Sequence, residues 1–336
     1  MDKKLLGREF RLAYRPVGEP KTDVFTMVRT EVPEPGDGQI VVRNTWMSVD
    51  PWMRESMKGK VHLPPFDLDA PLPGLAVGEV VASRSAAIPV GATVSHFLGW
   101  REYAVVAAAE ATVVDTDLAP AEAYLGVLGI TGLTAYATLT EVAAVREGDV
   151  VFVSAAAGAV GSVAGQVARK LGAAKVIGSA GGPEKTRRLV TDFGYDEGID
   201  YKAGPIAEQL AKAAPDGIDY YLDNVGGDHL EAAIGLLRER GRIAMVGAIS
   251  SYNATEPPPG PRNLFDLAGK NASLHGMLID AYLHLSPEWV RRGAEWLADG
   301  TLRNEQTVFE GLEQAPAAFL SLMRGANIGK MLVRIG

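Results

Sequence analysis

Residues 150–180 constrain the fold more than any other part of this sequence. They open with an apolar, β-branched run, Val150–Val153, which is typical of a buried strand. Small residues follow at 155–161, and apolar residues at helical spacing then lead to Gly172, where a helix would end. A second apolar run lies at 175–177. The stretch therefore predicts a strand–turn–helix–strand unit, the building block of a parallel sheet.

The turn of this unit has the spacing Ala156-x-Gly158-x-x-Gly161. This is the fingerprint of a dinucleotide site with its first glycine replaced by alanine, and it would bring bare backbone N–H groups to a pyrophosphate. Two other interpretations exist. The glycines could serve only close packing, and Gly161-x-x-x-Gly165 imitates a membrane-helix motif. The run is dominated by alanine and glycine, which argues against a membrane span, and its context favours a cofactor.

Composition excludes several classes of protein. The chain has 336 residues, so two domains are expected. The net charge of −8 argues against nucleic-acid binding. No cysteine is present, which excludes disulfides and thiolate metal sites, and the five histidines have no metal-ligand spacing: His62, His96, His229, His275 and His284. The first residues lack the apolar core of a signal peptide, so we expect a cytoplasmic protein without a metal.

The pattern of strands and helices changes along the chain. Residues 1–125 contain many short strand-like runs separated by Pro/Gly/Asp turns, which favours a β-rich, partly open barrel. Residues 126–299 alternate between strands and helices and contain six strands, which predicts an α/β, doubly wound parallel Rossmann sheet. Residues 300–336 return to mixed structure that could complete the first domain.

Three loops of the predicted sheet are rich in small or polar residues. In a doubly wound sheet the ligand lies where the strand order reverses, so the loops after the first, fourth and fifth strands should line one crevice. These loops contain Gly158, Asn224 and residues 247–252. Three such loops at one edge support a cofactor site better than one fingerprint does.

The second strand of the sheet indicates which nicotinamide cofactor is bound. An NAD site carries an acid about 20 residues beyond the fingerprint, but residues 178–182 contain none. Lys185 opens the next helix, and Tyr201-Lys202 follows the third strand. Small residues with cations suit the 2′-phosphate of NADPH. Taken alone, Lys185 could equally lie on a solvated helix face.

Longer motifs along the chain resemble the medium-chain dehydrogenase/reductase superfamily. The similarity runs nearly end to end and is greatest to the zinc-independent branch of prostaglandin reductases (leukotriene 12-hydroxydehydrogenases) and curcumin reductases. The motifs that carry it are VDPWMR at 49–54, TGLTAY at 131–136, AAAGAVGS at 155–162, GGPEK at 181–185, DYK at 200–202, DNVGG at 223–227, GAISSYN at 247–253 and ANIGKMLV at 326–333.

The resemblance implies a fold, a cofactor and site residues. It implies a GroES-like first domain (1–125 with 300–336) and an NADP-binding domain at 126–299. Gly158, Ala159, Val160 and Gly161 would hold the pyrophosphate, and Lys185 and Tyr201 the 2′-phosphate. The rest of the cofactor would be surrounded by Asn224, Val246, Gly247, Ala248, Ile249, Ser250, Ser251, Tyr252, Met277, Leu278, Ile279 and Asn327.

The same resemblance implies NADPH-dependent reduction of the activated C=C bond of an enone or 2-alkenal. Hydride would reach the β-carbon and leave an enolate, with Tyr252 as the expected hydroxyl donor; Tyr252 could equally be a pocket wall. Trp52 replaces a frequent tyrosine of the family and could touch the substrate, although core filling is its simpler interpretation. A homodimer is expected by analogy. Alternatives are a quinone oxidoreductase on the same scaffold and a non-catalytic NADPH-binding protein.

Overall fold

The computed structural model describes residues 4–59 and 63–336, so His62 lies outside the described residues. The chain divides into two compact units. The first comprises Met1–Leu125, Gln306–Asn327 and Met331–Gly336, and the second comprises Gly126–Glu305 and Ile328–Lys330. Sequence alone places the return of the chain at residue 300. Residues 300–305 group instead with the second unit, where the N–H of Arg303 donates to Gln166 Oε1 at 2.8 Å.

The first unit is rich in β-structure, as predicted. Its described N-terminal elements are β1 (Leu6–Leu12), β2 (Phe25–Glu31), β3 (Gln39–Ser48), α1 (Trp52–Ser56), β4 (Ala76–Ser83), β5 (Thr93–His96), β6 (Tyr103–Ala107) and β7 (Thr112–Val113). Alternating buried and exposed residues along these strands place one face on the core. The indole of Trp100 lies at its centre, fully buried and stacked on Phe25 with ring centroids 5.3 Å apart.

The second unit alternates between strands and helices. Its elements are α2 (Ile130–Ala137), β8 (Val150–Val153), α3 (Gly161–Lys170), β9 (Lys175–Ala180), α4 (Pro183–Asp192), β10 (Glu197–Asp200), α5 (Ile206–Ala213), β11 (Ile218–Asp223), α6 (Gly227–Leu236), β12 (Leu237–Met245), α7 (Asp266–Gly269), β13 (Ser273–Gly276) and α8 (Ser286–Ala298). Its strands are parallel, in the order β10-β9-β8-β11-β12-β13. This order confirms the predicted six-stranded doubly wound sheet, with the reversal between β8 and β11.

The C-terminal residues complete the first unit with β14 (Gln306–Glu310), α9 (Ala315–Met323) and β15 (Lys330–Arg334), of which only the first residue, Lys330, groups with the second unit. Strand β15 pairs with β3, within the sheet order β14-β15-β3-β4-β5-β7, and β6 also pairs with β3. The segment Ile328–Lys330 belongs to the second unit, because the N–H of Gly329 donates to the carbonyl of Ala157 at 2.8 Å.

The chain passes from helix to strand earlier than its side chains suggest. Helix α6 ends at Leu236, and β12 begins at the next residue. Residues 237–240, Leu-Arg-Glu-Arg, favour a helix by composition, but tertiary pairing overrides this propensity. Leu237 pairs with Ile218 of β11, and Arg240 adopts a positive φ of 61°. The ladder then resumes after an irregularity.

Candidate functional site

The fingerprint turn follows β8 directly and is held by its own backbone. The N–H of Gly158 donates to the carbonyl of Ala155, and the N–H of Ala156 donates to Ser179 of β9, both at 2.9 Å. Ala155 has a φ of +48°, a left-handed conformation that non-glycine residues rarely adopt. Such strained backbone is typical of functional turns.

The two glycines of the turn have different physical roles. A Cβ at Gly161 would lie 2.5 Å from both the carbonyl oxygen of Ala155 and the Cα of Ala156, so only glycine allows α3 to begin this close to the turn. A Cβ at Gly158 would meet only the Ala155 oxygen, at 3.1 Å. Gly158 therefore leaves bare backbone at the N-terminus of α3. This cradle suits the pyrophosphate of a dinucleotide.

Ala156, the alanine in place of the first fingerprint glycine, is accommodated by a glycine on the neighbouring strand. A Cβ at Gly178 of β9 would lie 2.7 Å from the methyl group of Ala156, which is fully buried. The methyl group thus occupies the space that a side chain at Gly178 would need. The glycine at position 178 therefore compensates for the alanine at position 156, and the turn stays closed.

The ends of β9 and β10 bring together the residues predicted for the 2′-phosphate. A Cβ at Gly181 would lie 3.0 Å from Tyr201 Oη and 2.8 Å from Lys202 Cε, so both side chains lie over the Gly181 backbone. Burial and the neighbouring Lys202 ammonium lower the pKa of Lys185, against the opposing effect of Glu184. Lys202, which the sequence shows next to Tyr201 among the cations of this region, joins the two residues expected at the 2′-phosphate, Lys185 and Tyr201.

Two charged groups near this cluster are engaged elsewhere. Asp200 Oδ1 accepts the N–H groups of Gly182 at 2.8 Å and Lys202 at 3.0 Å, so this carboxylate is occupied by backbone. Arg188, which the sequence places among the cations of this helix, forms ion pairs with Asp192 and Glu305 at 2.6 and 2.7 Å. Arg188 is therefore a structural residue.

Hydrogen bonds tie the loops after β8, β11 and β12 together. Asn224 Nδ2 donates to the carbonyl of Ser154 at 2.7 Å, and the Asn224 N–H donates to Ser154 Oγ at 3.0 Å. The N–H groups of Ile249 and Ser250 donate to the carbonyls of Asn224 and Val225, each at 3.2 Å. The sequence predicts that these three loops line one crevice, and in the structure they are in contact with one another.

A buried carboxylate organises this crevice. Asp223 Oδ1 accepts the Tyr221 hydroxyl at 2.7 Å and the N–H groups of Val225 at 2.9 Å and Gly226 at 2.8 Å. Burial raises the pKa of Asp223, although these hydrogen bonds oppose the shift. Sequence reasoning missed this residue as part of the site, although an acid directly before Asn224-Val225-Gly226-Gly227 is typical of a side chain that holds a turn.

Tyr252 and the predicted residues after β13 lie on loops of the same unit. The half-buried Tyr252 side chain folds back over its own loop, where its hydroxyl accepts the N–H of Ala248 at 3.4 Å. Met277 continues the hydrogen bonding of the sheet, because its N–H donates to the carbonyl of Met245 at 2.9 Å. Leu278 is exposed, and Ile279 begins a 3₁₀ turn.

Trp52 and Asn327 belong to the first unit. Trp52 begins α1 and is stacked on Phe97, with ring centroids 5.4 Å apart, while Phe66 meets it edge-on at 5.8 Å. Asn327 is buried after α9. In the same VDPWMR motif, Arg54 donates to the carbonyl of Gly18 at 2.6 Å, so this arginine holds a loop.

No group of three or more metal-ligating side chains occurs in residues 4–59 and 63–336. The buried His96 donates Nε2–H to Asn44 Oδ1 at 2.9 Å, and its Nδ1 accepts the N–H of Leu98 at 3.1 Å. Burial lowers the pKa of His96 to about 3, so it is a neutral structural residue. Across the same described ranges, the helices are too short or too polar to cross a membrane.

Comparison with known proteins identifies the family. The family model for the N-terminal domain of oxidoreductases matches residues 8–114, and the model named for zinc-binding dehydrogenases matches residues 159–297. The NADPH-dependent curcumin reductase of Escherichia coli is 37% identical, over 99% of this chain and 98% of that protein. The NADP⁺-dependent 2-alkenal reductase of Nicotiana tabacum is 38% identical, over 92% of this chain and 90% of that protein.

A solved structure agrees with these relatives. The crystal structure of CurA from Vibrio vulnificus in complex with NADPH is similar to this chain with a TM-score of 0.92 and 38% identity, covering 98% of this chain and 99% of that one. The chain therefore belongs to the medium-chain dehydrogenase/reductase superfamily, in the zinc-independent branch of the curcumin and prostaglandin reductases.

Proposed function

We propose that this protein is an NADPH-dependent reductase of the activated C=C bond of α,β-unsaturated ketones and aldehydes. The observation that carries the proposal is the cradle at the N-terminus of α3 together with the cluster of Lys185, Tyr201 and Lys202 beside residues 178–182, which contain no acid. The first suits a dinucleotide and the second suits its 2′-phosphate. The curcumin and 2-alkenal reductases among the relatives support the substrate class.

The cofactor residues are proposed as a set. Gly158, Ala159, Val160 and Gly161 hold the pyrophosphate, and Lys185, Tyr201 and Lys202 hold the 2′-phosphate. The rest of the cofactor, its adenosine, ribose and nicotinamide, is assigned to Asn224, residues 246–252, residues 277–279 and Asn327. Bound NADPH supplies a hydride.

The protein's own task in the reaction is to orient the substrate and stabilise developing charge. When the β-carbon of an enone gains hydride, the pair of electrons moves to the carbonyl oxygen and an enolate forms. A hydrogen-bond donor fixed at that oxygen lowers the barrier. We assign this donor to the Tyr252 hydroxyl, because the half-buried ring is held over its own loop. The α-carbon proton comes from water or from Tyr252, and Trp52 contacts the substrate.

The protein is further proposed to be a homodimer. Strand β13 ends the six-stranded sheet, and its residues Ser-Leu-His-Gly carry no lysine, acid or proline that would protect an edge. A second copy of the same strand, antiparallel about a twofold axis, would satisfy the open edge.

Oxidation of NADPH by a panel of 2-alkenals, enones, saturated aldehydes and quinones tests the function. We expect turnover with the first two classes. Turnover with quinones alone would make the protein a quinone oxidoreductase, and binding of NADPH without any turnover would leave a binding protein. The same assay with Tyr252→Phe decides the role of the hydroxyl: we expect kcat to fall roughly a hundredfold to a thousandfold, as for a lost charge-stabilising donor. An unchanged kcat would make Tyr252 a wall of the pocket.

A further inference from the structure

The small-residue face of α3 is only partly explained by cofactor binding. Gly161 and Gly165 are four residues apart and lie on one side of this helix. A Cβ at Gly165 would lie 2.6 Å from Cζ of Tyr195, and a Cβ at Gly178 of β9 would lie 2.8 Å from its Cδ1. The two glycines therefore form a slot between helix and strand that the ring of Tyr195 fills. Of the two glycines whose spacing imitates a membrane-helix motif, Gly165 makes room for this aromatic ring and Gly161 packs against the backbone of the turn.

Tyr195 is held in this slot by its backbone and its hydroxyl. It follows α4 through Gly194, which has a φ of +74°, and its N–H donates to the carbonyl of Leu189 at 3.2 Å. The side chain is 3% exposed. Its hydroxyl donates to the carbonyl of Gly161, the last fingerprint glycine, at 2.6 Å. Burial raises the pKa of Tyr195, so the hydroxyl remains a donor.

We propose that Tyr195 is a positioning residue for the dinucleotide. The ring sets the distance of α3 from β9, and the hydroxyl fixes the carbonyl at the first residue of α3. Together they orient the backbone N–H groups at the start of this helix, the groups that would hold the pyrophosphate. This inference rests on the proposed position of the pyrophosphate and does not depend on the substrate.

Tyr195→Phe tests the proposal, with Tyr220→Phe as its matched control. Both tyrosines are buried, and both donate their hydroxyl to a backbone carbonyl; that of Tyr220 reaches Thr138 at 3.0 Å. Removing either hydroxyl costs one buried hydrogen bond, so we expect similar losses in the melting temperature of the cofactor-free variants. Only Tyr195→Phe should weaken cofactor binding. The Kd for NADPH, measured by cofactor fluorescence without substrate, should rise roughly threefold to tenfold.

The Kd for NADH should rise by the same factor, because both cofactors share the pyrophosphate. An unchanged NADPH affinity in Tyr195→Phe, alongside a melting temperature lowered as in Tyr220→Phe, would reduce Tyr195 to a stability residue and overturn the proposal. A loss confined to NADPH would also overturn it, since the effect would then lie at the 2′-phosphate. Absence of enone turnover in the wild type would defeat the proposed activity and leave this binding comparison intact.

Discussion

At the scale of single residues, Lys185 gives the sharpest test of cofactor choice. Its ammonium is half-buried beside Lys202, and burial with this second cation lowers its pKa. A 2′-phosphate would relieve the repulsion between the two cations, whereas the 2′-hydroxyl of NADH would not. We therefore expect Lys185→Ala to raise the Kd for NADPH roughly tenfold to a hundredfold, as for a lost charged hydrogen bond.

The control for this change is Arg187→Ala, which removes one positive charge from the exposed face of the same helix. Titration of both variants with NADPH and NADH compares their selectivity. If Lys185→Ala weakens both cofactors equally, or if Arg187→Ala weakens NADPH as much, the assignment of the 2′-phosphate to Lys185 is wrong.

Some residue roles could be predicted from sequence, and others depend on contacts that sequence spacing hides. The absence of an acid at residues 178–182 was visible directly. The compensation between Ala156 and Gly178 was not, because the two residues are far apart in the chain and meet only across neighbouring strands. The engagement of Arg188 with Glu305 was hidden for the same reason.

At the scale of elements, the two glycines at the start of α3 distinguish a loss of stability from a loss of cofactor affinity. A methyl group at Gly161 would collide with backbone at 2.5 Å, so Gly161→Ala should destabilise the protein by about 1–3 kcal/mol, as overpacking does, and should also weaken NADPH. A methyl group at Gly158 would meet only the Ala155 oxygen, at 3.1 Å. We expect Gly158→Ala to cost less than about 1 kcal/mol of stability and yet to weaken NADPH more than roughly tenfold.

Thermal unfolding and cofactor titration of these two variants check that separation. A Gly158→Ala protein that binds NADPH as tightly as the wild type would contradict a pyrophosphate at this turn. Equal losses of stability in both variants would contradict the packing difference between the two glycines.

The type of most elements of the second unit was predictable, because apolar strands alternate with helical patterns from residue 150 onward. The boundary between α6 and β12 was not. Residues 237–240 have helix-forming side chains, yet the pairing of Leu237 with Ile218 draws them into the sheet. Local propensity is too small to resist such tertiary pairing.

At the scale of the whole molecule, the order of the parallel sheet followed from the fingerprint and the rules of doubly wound folds. The assignment of the C-terminal segment to the two units did not follow from these rules. Ile328–Lys330 joins the second unit through the hydrogen bond from Gly329 to Ala157 and a bridge between Gly329 and Gly158. No periodicity in the sequence marks these three residues, and the hydrogen bond and the bridge are both made by backbone groups, which carry no sequence pattern.

The open edge of this sheet allows the homodimer to be tested with a single backbone group. The N–H of Met277 donates inward, to the carbonyl of Met245 in β12. Because N–H directions alternate along a strand, the N–H of Gly276 points outward, and a Cβ at this exposed glycine would have nothing within 4 Å. Proline is tolerated at such outward positions of edge strands but cannot donate to a partner.

We expect wild-type protein to have the mass of a dimer in light scattering after gel filtration. Gly276→Pro should have the mass of a monomer, and its melting temperature should no longer depend on protein concentration. Gly276→Ala is the control, because it adds a methyl group and keeps the N–H, so it should remain a dimer. A monomeric wild type would contradict the proposed assembly. A Gly276→Pro variant that is folded and still dimeric would place the interface away from β13.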